Sequence, residues 1–153
     1  MENWSKYKPD SFEIVNGWIR NWFSNMVISP MIIDGIVYNS VENYFQSHKS
    51  LDRDERIRIA SLLPSISKKE GRKLKLREDW EEVKYEVMKT ALRVKFNSKY
   101  WKDELLSTGD SIIIEWNNWN DKIWGVPINN CIGENLLGKA LMEIREELKN
   151  ISS

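Results

Sequence analysis

Two apolar stripes with a helical period dominate the second half of the chain. The first predicts a long helix over residues 79–96, whose inward positions are Trp80, Val83, Val87, Ala91 and Val94. The second predicts a final helix over residues 134–149, with inward positions Leu137, Leu141, Ile144 and Leu148. Three shorter helices are predicted, at residues 53–63, 67–76 and 99–107. Pro64 ends the first of these, and Gly109 follows the third as a helix stop signal.

Strand-like runs lie mainly in the N-terminal part of the chain. An Asp-Gly signal at Asp34 and an Asn-Gly signal at Asn16 predict hairpins over residues 31–38 and 12–23. Together with the helices, these runs predict an α+β fold in which a few short strands pack against several helices. Because the chain has 153 residues and no internal repeat or linker, we expect one domain over residues 1–153.

Residues 40–49 predict a short helix with two distinct faces. Ser40 is placed to cap it, and its apolar face consists of Val41, Tyr44, Phe45 and His48. The neighbouring face carries Glu42, Gln46 and Lys49, and such a row can form the wall of a polar pocket. The helix dipole alone also favours an acidic residue in a first turn. Lys49 is either a surface lysine or, in a partly dry pocket, a nucleophile or a phosphate ligand. His48 is expected to pack.

A second polar region begins at the Ile-Ile-Ile run. That run predicts a buried strand over residues 111–116, followed by a long polar loop over residues 117–130 of the kind that often carries function. Glu115 ends the strand and Asp121 lies in the loop, where carboxylates held by a rigid scaffold commonly serve a site. Turn formation is a strong competing explanation of Asp121. Gly133 and Gly138, at the start of the final helix, are a weak signal for a phosphate cradle, and the P-loop spacing is absent.

The composition narrows the function classes. Hydrophobic residues make up 41% and charged residues 30%, as in a soluble globular protein. The 23 lysines and arginines balance the 23 aspartates and glutamates, so tight non-specific binding to nucleic acid is disfavoured. Two basic clusters leave room for a local polyanion contact: Arg53, Arg56 and Arg58, and then Lys68, Lys69, Arg72, Lys73, Lys75 and Arg77.

Cysteine and histidine usage limits the chemistry and the location. Cys131 and His48 are single representatives of their types, so a zinc site built from them is not expected. A Cys-His nucleophile pair would lack a third member. The lone thiol and the absence of a signal-peptide pattern or long apolar run predict a cytoplasmic protein with no membrane partner. Most of the eight tryptophans are expected in the core, with one or two at a site.

A set of short motifs runs in unbroken order from about residue 23 to residue 148. They include Phe23-Ser24-Asn25, Asp34-Gly35, Glu42-Asn43-Tyr44-Phe45-Gln46 to Lys49, Lys69 with Gly71-Arg72, Asp79-Trp80, Lys95-Phe96, Thr108-Gly109-Asp110, Glu115, Asp121 with Trp124-Gly125, and Asn135-Leu136-Leu137-Gly138 to Arg145. Together they resemble the NADAR, or YbiA-like, family. Asn43 stands where that family usually has histidine, and Pro127 stands where it usually has glycine.

The resemblance implies an N-glycosidase, a hydrolase that cleaves the bond between ribose carbon 1 and a base nitrogen. Its implied substrates are phosphoribosyl pyrimidines of the early riboflavin pathway. Breaking this bond builds positive charge on the sugar, which a nearby carboxylate stabilises. The implied catalytic residues are therefore the carboxylates Glu42 and Asp121, with Lys49 as a Schiff-base nucleophile or a phosphate contact. The mechanism needs no metal and no cofactor.

The resemblance also implies a set of substrate-binding residues: Asn25, Gln46, Arg72, Trp124, Gly125 and Asn135. The three amide side chains would hold ribose hydroxyls, and Trp124 beside Gly125 would stack on the base or shape the sugar pocket. Arg72 or the start of the last helix would take the phosphate.

Two further functions stay open at this point. One is removal of ADP-ribose from guanine in nucleic acid, which the basic clusters favour and the zero net charge disfavours. The other is a module that binds ADP-ribose or NAD without turnover. The presence of all the implied catalytic residues argues against this function. The sequence leaves the oligomeric state undetermined.

Overall fold

The computed structural model describes residues 1–10 and 23–152, so the hairpin predicted around Asn16 lies outside the described residues. The described chain contains several helices and a few short strands, which confirms the α+β class. It divides into two compact units, Phe23–Ser98 and a second that joins the N-terminal residues to Lys99–Ser153. The single-domain organisation stays a prediction. Within the described ranges, no helix is both long and apolar enough to cross a membrane.

The elements are numbered in chain order. The strands are β1 (Glu2–Asn3), β2 (Met31–Ile33), β3 (Ile36–Tyr38), β4 (Trp116–Asn117), β5 (Val126–Pro127) and β6 (Ile132–Gly133). The α-helices are α1 (Val41–Ser47), α2 (Arg53–Ala60), α3 (Pro64–Gly71), α4 (Trp80–Lys95), α5 (Lys99–Leu106) and α6 (Leu136–Ser152). A short 3₁₀ helix covers Ser5–Tyr7.

The Phe23–Ser98 unit begins with the predicted hairpin. β2 pairs antiparallel with β3, and the turn residues Asp34 and Gly35 have φ angles of 52° and 77°. Positive φ at both positions is what a two-residue hairpin turn requires, and aspartate and glycine are the residues that tolerate it. The Asp-Gly signal therefore predicted this hairpin correctly.

Helix α1 lies at the centre of this unit. The hydroxyl of Ser40 accepts a hydrogen bond from the Asn43 amide at 3.2 Å, so the predicted cap is confirmed. All seven residues of α1 are buried, because α1 packs against α2, α3 and α4. Asn43 donates from Nδ2 to the carbonyls of Ile59 and Leu62 at 2.9 and 2.8 Å. The residue that replaces the family's usual histidine therefore ties α1 to the end of α2.

The predicted limits of two short helices were wrong. α2 ends at Ala60, and α3 spans Pro64–Gly71 instead of residues 67–76. Pro64 begins α3, because a first-turn proline gives up only an amide hydrogen that would have no partner in the helix. The long helix and the one after it were predicted correctly as α4 and α5, and Gly109 has the left-handed φ of 61° expected after α5. On α4 the buried stripe includes Met88 and Leu92, whereas Val94 is exposed.

The second unit contains α6 and two pairs of very short strands. β1 pairs antiparallel with β6, and β4 pairs in parallel with β5. A small apolar cluster packs around them: Trp4, Trp116, Val126 and Cys131. The inward positions predicted for the last helix are confirmed, because all four leucine and isoleucine side chains named for it are buried.

The buried strand predicted over residues 111–116 was wrong. Only Trp116 and Asn117 form a strand, and Ile112 is exposed. Before β4, side chains form several of the main-chain hydrogen bonds that a neighbouring strand would form in a sheet. Arg145 donates to the Ser111 carbonyl at 2.8 Å, and Asn135 bridges the Ile113 carbonyl and the Glu115 amide at 2.9 and 3.0 Å. The segment is thus held in place without forming a sheet.

Candidate functional site

In the Phe23–Ser98 unit, Glu42 and Gln46 form a hydrogen-bonded pair one turn apart on α1. Gln46 donates from Nε2 to the Glu42 carboxylate at 2.8 Å, and Glu42 is only 8% exposed. The Glu42 amide donates to the Asn25 carbonyl at 3.1 Å, which links the start of α1 to the preceding loop. The helical spacing seen in the sequence therefore does bring the carboxylate and the amide together.

Lys49 lies just beyond the end of α1, with its amine over the ring of Phe45 at 5.8 Å from the centroid. Burial lowers the pKa of the Lys49 amine, the carboxylate of Glu42 raises it in part, and the positive charges of Arg72 and Lys68 lower it further. A larger fraction of this amine is therefore neutral than in an exposed lysine. We call the set Glu42, Gln46, Lys49, Arg72 and Lys68 the Glu42 cluster.

Two amide oxygens in this unit are buried and have no hydrogen-bond partner among the described residues. They are Oε1 of Gln46 and Oδ1 of Asn25. Buried acceptors are rarely left unbonded, so each is suited to a hydroxyl or amine of a bound molecule, or to water. The Asn25 side chain also donates to the sulfur of Met88 at 3.5 Å.

Gly71 lies against the Glu42 cluster, although no sequence pattern indicated a role for it. A Cβ at this position would overlap Oε1 of Gln46, so glycine leaves room for this side chain in the position where it bonds Glu42. The Gly71-Arg72 pair is one of the motifs that carry the family resemblance. That motif does not indicate which side chain Gly71 contacts.

His48 packs, in agreement with its place on the apolar face. It stacks on Tyr44 at 3.8 Å between ring centroids, and its Nδ1 lies 3.0 Å from both the Ser47 hydroxyl and the Tyr44 carbonyl. Burial, with the positive charge of Arg56, lowers its pKa to about 4. The ring is therefore neutral at physiological pH.

In the second unit, Asp121 organises a tight turn that we call the Asp121 turn, residues 117–124. Its Oδ1 accepts hydrogen bonds from the amides of Ile123 and Trp124, both at 3.0 Å. Asn117, which is completely buried, accepts from the Asp121 amide at 3.0 Å and donates to the Asp121 carbonyl at 2.8 Å. The turn-forming explanation of Asp121 therefore holds, and the carboxylate has a fixed direction.

Glu115 lies close to this turn and has an unusual acidity. Burial and the negative charge of Asp121 raise the pKa of Glu115 to about 7. Its carbonyl accepts from the Val126 amide at 2.8 Å, and a Cβ at Gly125 would overlap that carbonyl. Gly125 is thus required by close packing of the main chain. A carboxyl group that is half protonated near neutral pH, beside a second carboxylate, is a common arrangement for acid–base chemistry.

Asn135 is completely buried and has a left-handed φ of 55°. Its amide group bonds the main chain at Ile113 and Glu115, as described above, so it supports the segment that carries Glu115. Gly138 leaves the space for it, because a Cβ there would overlap both Asn135 and the Ile113 carbonyl.

The start of the last helix is not available as a phosphate cradle. The amides of residues 134–137 donate to the carbonyls of residues 122, 125, 123 and 124, at 2.7, 3.4, 3.0 and 3.0 Å. A helix N-terminus binds anions through amides that have no other partner, and here the loop supplies the partners. The phosphate role that the resemblance gave to this helix start is therefore corrected.

The residues implied by the resemblance fall into two groups. Glu42, Gln46, Lys49, Arg72 and Asn25 belong to the Phe23–Ser98 unit. Asp121, Trp124, Gly125 and Asn135 belong to the other unit, together with Glu115. In each group, hydrogen bonds or charge interactions connect most of the members.

Comparisons with known proteins identify the family. Residues 5–149 match the NADAR domain model. The chain is 38% identical over 130 residues to N-glycosidase YbiA of Escherichia coli, covering 82% of this chain and 80% of that protein. It is 31% identical over 167 residues to "Riboflavin biosynthesis protein PYRR, chloroplastic" of Zea mays, covering 94% of this chain and 26% of that protein.

The fold is similar to a solved structure. The NMR structure of the E. coli protein YbiA matches with a TM-score of 0.76 at 36% sequence identity, covering 85% of this chain and 79% of that one. The predicted enzyme class, a hydrolase that acts on N-glycosyl bonds, is confirmed at the level of these N-glycosidase relatives. The chain belongs to the NADAR domain family.

Proposed function

We propose that this N-glycosidase hydrolyses the C1–N bond between ribose phosphate and a pyrimidine base in early intermediates of the riboflavin pathway. The observation that carries the proposal is the Glu42 cluster, in which a buried carboxylate, a lysine of lowered pKa and two further cations occur together. A sugar phosphate needs these groups: an anion for the developing positive charge and cations for the phosphate. The riboflavin protein of Zea mays supports the choice of base.

Glu42 stabilises the positive charge that develops on the ribose as the bond to the base breaks. Gln46 holds one oxygen of the carboxylate in place, so the charge has a fixed position before substrate binds. The buried oxygens of Gln46 and Asn25 accept hydrogen bonds from ribose hydroxyls. Arg72, with Lys68, binds the phosphate.

Lys49 acts as a nucleophile through its neutral amine. Its nitrogen bonds to ribose carbon 1, and the base leaves with the electron pair of the C1–N bond and takes a proton. The sugar ring opens to give an imine with Lys49. Water then hydrolyses the imine, which frees the lysine and ribose phosphate. If Lys49 instead contacts the phosphate, no covalent adduct forms, and borohydride in the presence of substrate traps nothing.

In the other unit, Asp121 is proposed as the second carboxylate of the reaction and Trp124 as the residue that stacks on the base. Glu115 is proposed as the acid that gives a proton to the leaving base, because its pKa of about 7 leaves it partly protonated under working conditions. Gly125 and Asn135 are assigned to the support of Glu115, since they contact its main chain.

The direct test is chromatographic detection of free base and ribose phosphate after incubation with phosphoribosyl pyrimidines. We expect Glu42→Gln to lower the rate by about two orders of magnitude, the scale of lost acid–base and charge stabilisation. Glu82→Gln is a matched control, because Glu82 also lies in the first turn of a helix but is exposed. A wild-type protein that binds substrate and releases no base would overturn the proposal in favour of a binding module for ADP-ribose or NAD.

The second candidate function is removal of ADP-ribose from guanine in nucleic acid. The observation that favours it is the basic segment around α3, which carries Lys68, Lys69, Arg72, Lys73, Lys75 and Arg77. Offering both substrate types to the same preparation separates the two. Turnover of ADP-ribosylated oligonucleotide alone, with a steep loss at higher salt, selects the second function.

A further inference from the structure

The position of Lys49 depends on how the chain leaves α1. His48 is the last residue with helical geometry, and Lys49 follows it directly. The Lys49 amide donates to the Gln46 carbonyl at 3.2 Å, which ends the helix. The carbonyls of His48 and Lys49 point beyond the helix end, where they need donors from another part of the chain.

Arg77 supplies both of these donors. Its main-chain amide donates to the Lys49 carbonyl at 2.8 Å, and its Nη1 lies 3.4 Å from the His48 carbonyl. These contacts join the loop after α3 to the end of α1. A guanidinium at this end of a helix also complements the negative pole of the helix dipole.

Asp79 fixes the Arg77 guanidinium. Nε of Arg77 donates to one carboxylate oxygen at 2.6 Å and Nη2 donates to the other at 3.0 Å, a two-point contact that sets the plane of the group. The Arg77 side chain is 14% exposed, whereas that of Asp79 is 50% exposed. The arginine is therefore largely covered and is aimed at α1 by a carboxylate at the surface.

We infer that Arg77, held by Asp79, is the positioning residue of Lys49. The Arg77 guanidinium contacts the His48 carbonyl and the Arg77 main-chain amide binds the Lys49 carbonyl. The amine therefore stays in its partly dry surroundings, next to Glu42, Arg72 and Lys68. The importance of this for catalysis rests on the function proposed above for Lys49. The link between Arg77 and Lys49 stands on the contacts alone.

The test measures the reactivity of Lys49 without substrate. The protein is labelled with a trace amount of an acetylating reagent at neutral pH, and mass spectrometry follows the rate at Lys49 against the exposed Lys75. Arg77→Ala keeps the main-chain bond to the Lys49 carbonyl and removes the guanidinium that contacts the His48 carbonyl. We expect labelling at Lys49 to fall about fivefold or more, because a rehydrated amine has a higher pKa and one pKa unit changes the neutral fraction about tenfold. Lys75 should keep its rate, and Arg77→Lys should restore part of the loss at Lys49.

Two variants make the test decisive. Asp79→Asn keeps Arg77 and is expected to give a smaller fall in the labelling rate at Lys49. This variant replaces Arg77→Ala in the test if Arg77→Ala does not fold. Arg58→Ala is the matched control, because Arg58 also bridges carboxylates in this unit, those of Glu55 and Glu70. Equal labelling of Lys49 in wild type, Arg77→Ala and Asp79→Asn overturns the inference.

A purely structural role would lower stability in Arg58→Ala and Arg77→Ala alike and leave the Lys49 rate unchanged in both folded proteins. That result also overturns the inference. If the glycosidase proposal fails but Lys49 labelling falls in Arg77→Ala, the positioning role stands without it. If both stand, Arg77→Ala lowers kcat more than it raises KM, since Lys49 then acts in the chemical step.

Discussion

The Glu42 cluster and the Asp121 turn both fix a carboxylate, but they do so by different means. Glu42 is held by a side chain one helical turn away, on a helix that is buried along its whole length. Asp121 is held by main-chain amides within a loop, and Asn117 closes that loop with its own side chain. A helix can therefore position a functional group through its period, whereas a loop needs dedicated polar residues for each bond.

The largest expected difference concerns the carboxylate of Asp121. Asp121→Asn keeps an oxygen that can accept from Ile123 and Trp124, so the turn should survive while the charge is lost. We expect kcat/KM for base release to fall about a hundredfold, as for Glu42→Gln, if the charge is used in the reaction. Asp121→Ala, which loses both the charge and the turn, should fall at least as far.

One result would contradict the chemical role of Asp121. If Asp121→Asn retains nearly the full wild-type rate while Asp121→Ala loses it, Asp121 is a turn former with no chemical role. The two regions would then differ in kind, with the chemistry resting on the Glu42 cluster.

The next prediction compares two completely buried asparagines, one in each region. Asn43 ties α1 to α2, and Asn135 ties α6 to the segment before β4. Each alanine substitution leaves several buried main-chain groups without a partner, so we expect a loss of about 2–4 kcal/mol in the free energy of unfolding for each. Urea denaturation measures this, and the exposed Asn118→Ala should change stability by less than about 0.5 kcal/mol.

The two variants should also differ in how their activity depends on pH. Asn135→Ala should move the alkaline limb of the pH–rate profile, because the proposed acid Glu115 must be protonated and the main chain that carries it is released. Asn43→Ala should leave that limb where it is. Equal profiles for the two variants would contradict the supporting role given to Asn135.

The smallest expected effect is the pH dependence of stability due to Glu115. Its pKa is raised from 4.5 to about 7 in the folded protein, so the folded state binds more protons than the unfolded state between these values. Stability is therefore fully present below pH 4.5 and declines as the pH rises toward 7. Relative to wild type, Glu115→Gln should gain about 1–3 kcal/mol at pH 8 and little below pH 4.5.

Thermal or urea unfolding at several pH values measures this gain. Glu104→Gln is a suitable control, because Glu104 is also partly buried and belongs to the same unit. A Glu115→Gln variant whose advantage does not grow with pH would show that the Glu115 carboxyl is ionised near its ordinary pKa.

Several local features of the Phe23–Ser98 unit could be predicted from the sequence. Ser40 has a side chain that caps a helix, and the spacing of Glu42 and Gln46 already placed them side by side. The turn at Asp34 and Gly35 followed from the backbone angles that these residue types allow. In each case the information is local, since it lies within a few residues of the feature it determines.

The segment before β4 and the Asp121 turn could be predicted only in part. The apolar run before Glu115 favoured a buried strand, yet bonds from Asn135 and Arg145, which lie 20 or more positions away, took the place of a sheet partner. The role of Gly71 was hidden for the same reason, because it depends on the side chain of Gln46 on another helix. Long-range contacts of this kind produce no periodic pattern in the sequence, so they could not be predicted from it.

The bonds between residues 122–125 and the start of α6 also have a consequence for motion. Four loop carbonyls accept from four successive amides at the helix start, so the loop cannot lift without leaving these amides unpaired. The amides of residues 134–137 should therefore exchange their hydrogens with solvent together and slowly, as one opening event. The segment that follows Asp121 is thus bonded to the start of α6, and we expect the two to open together.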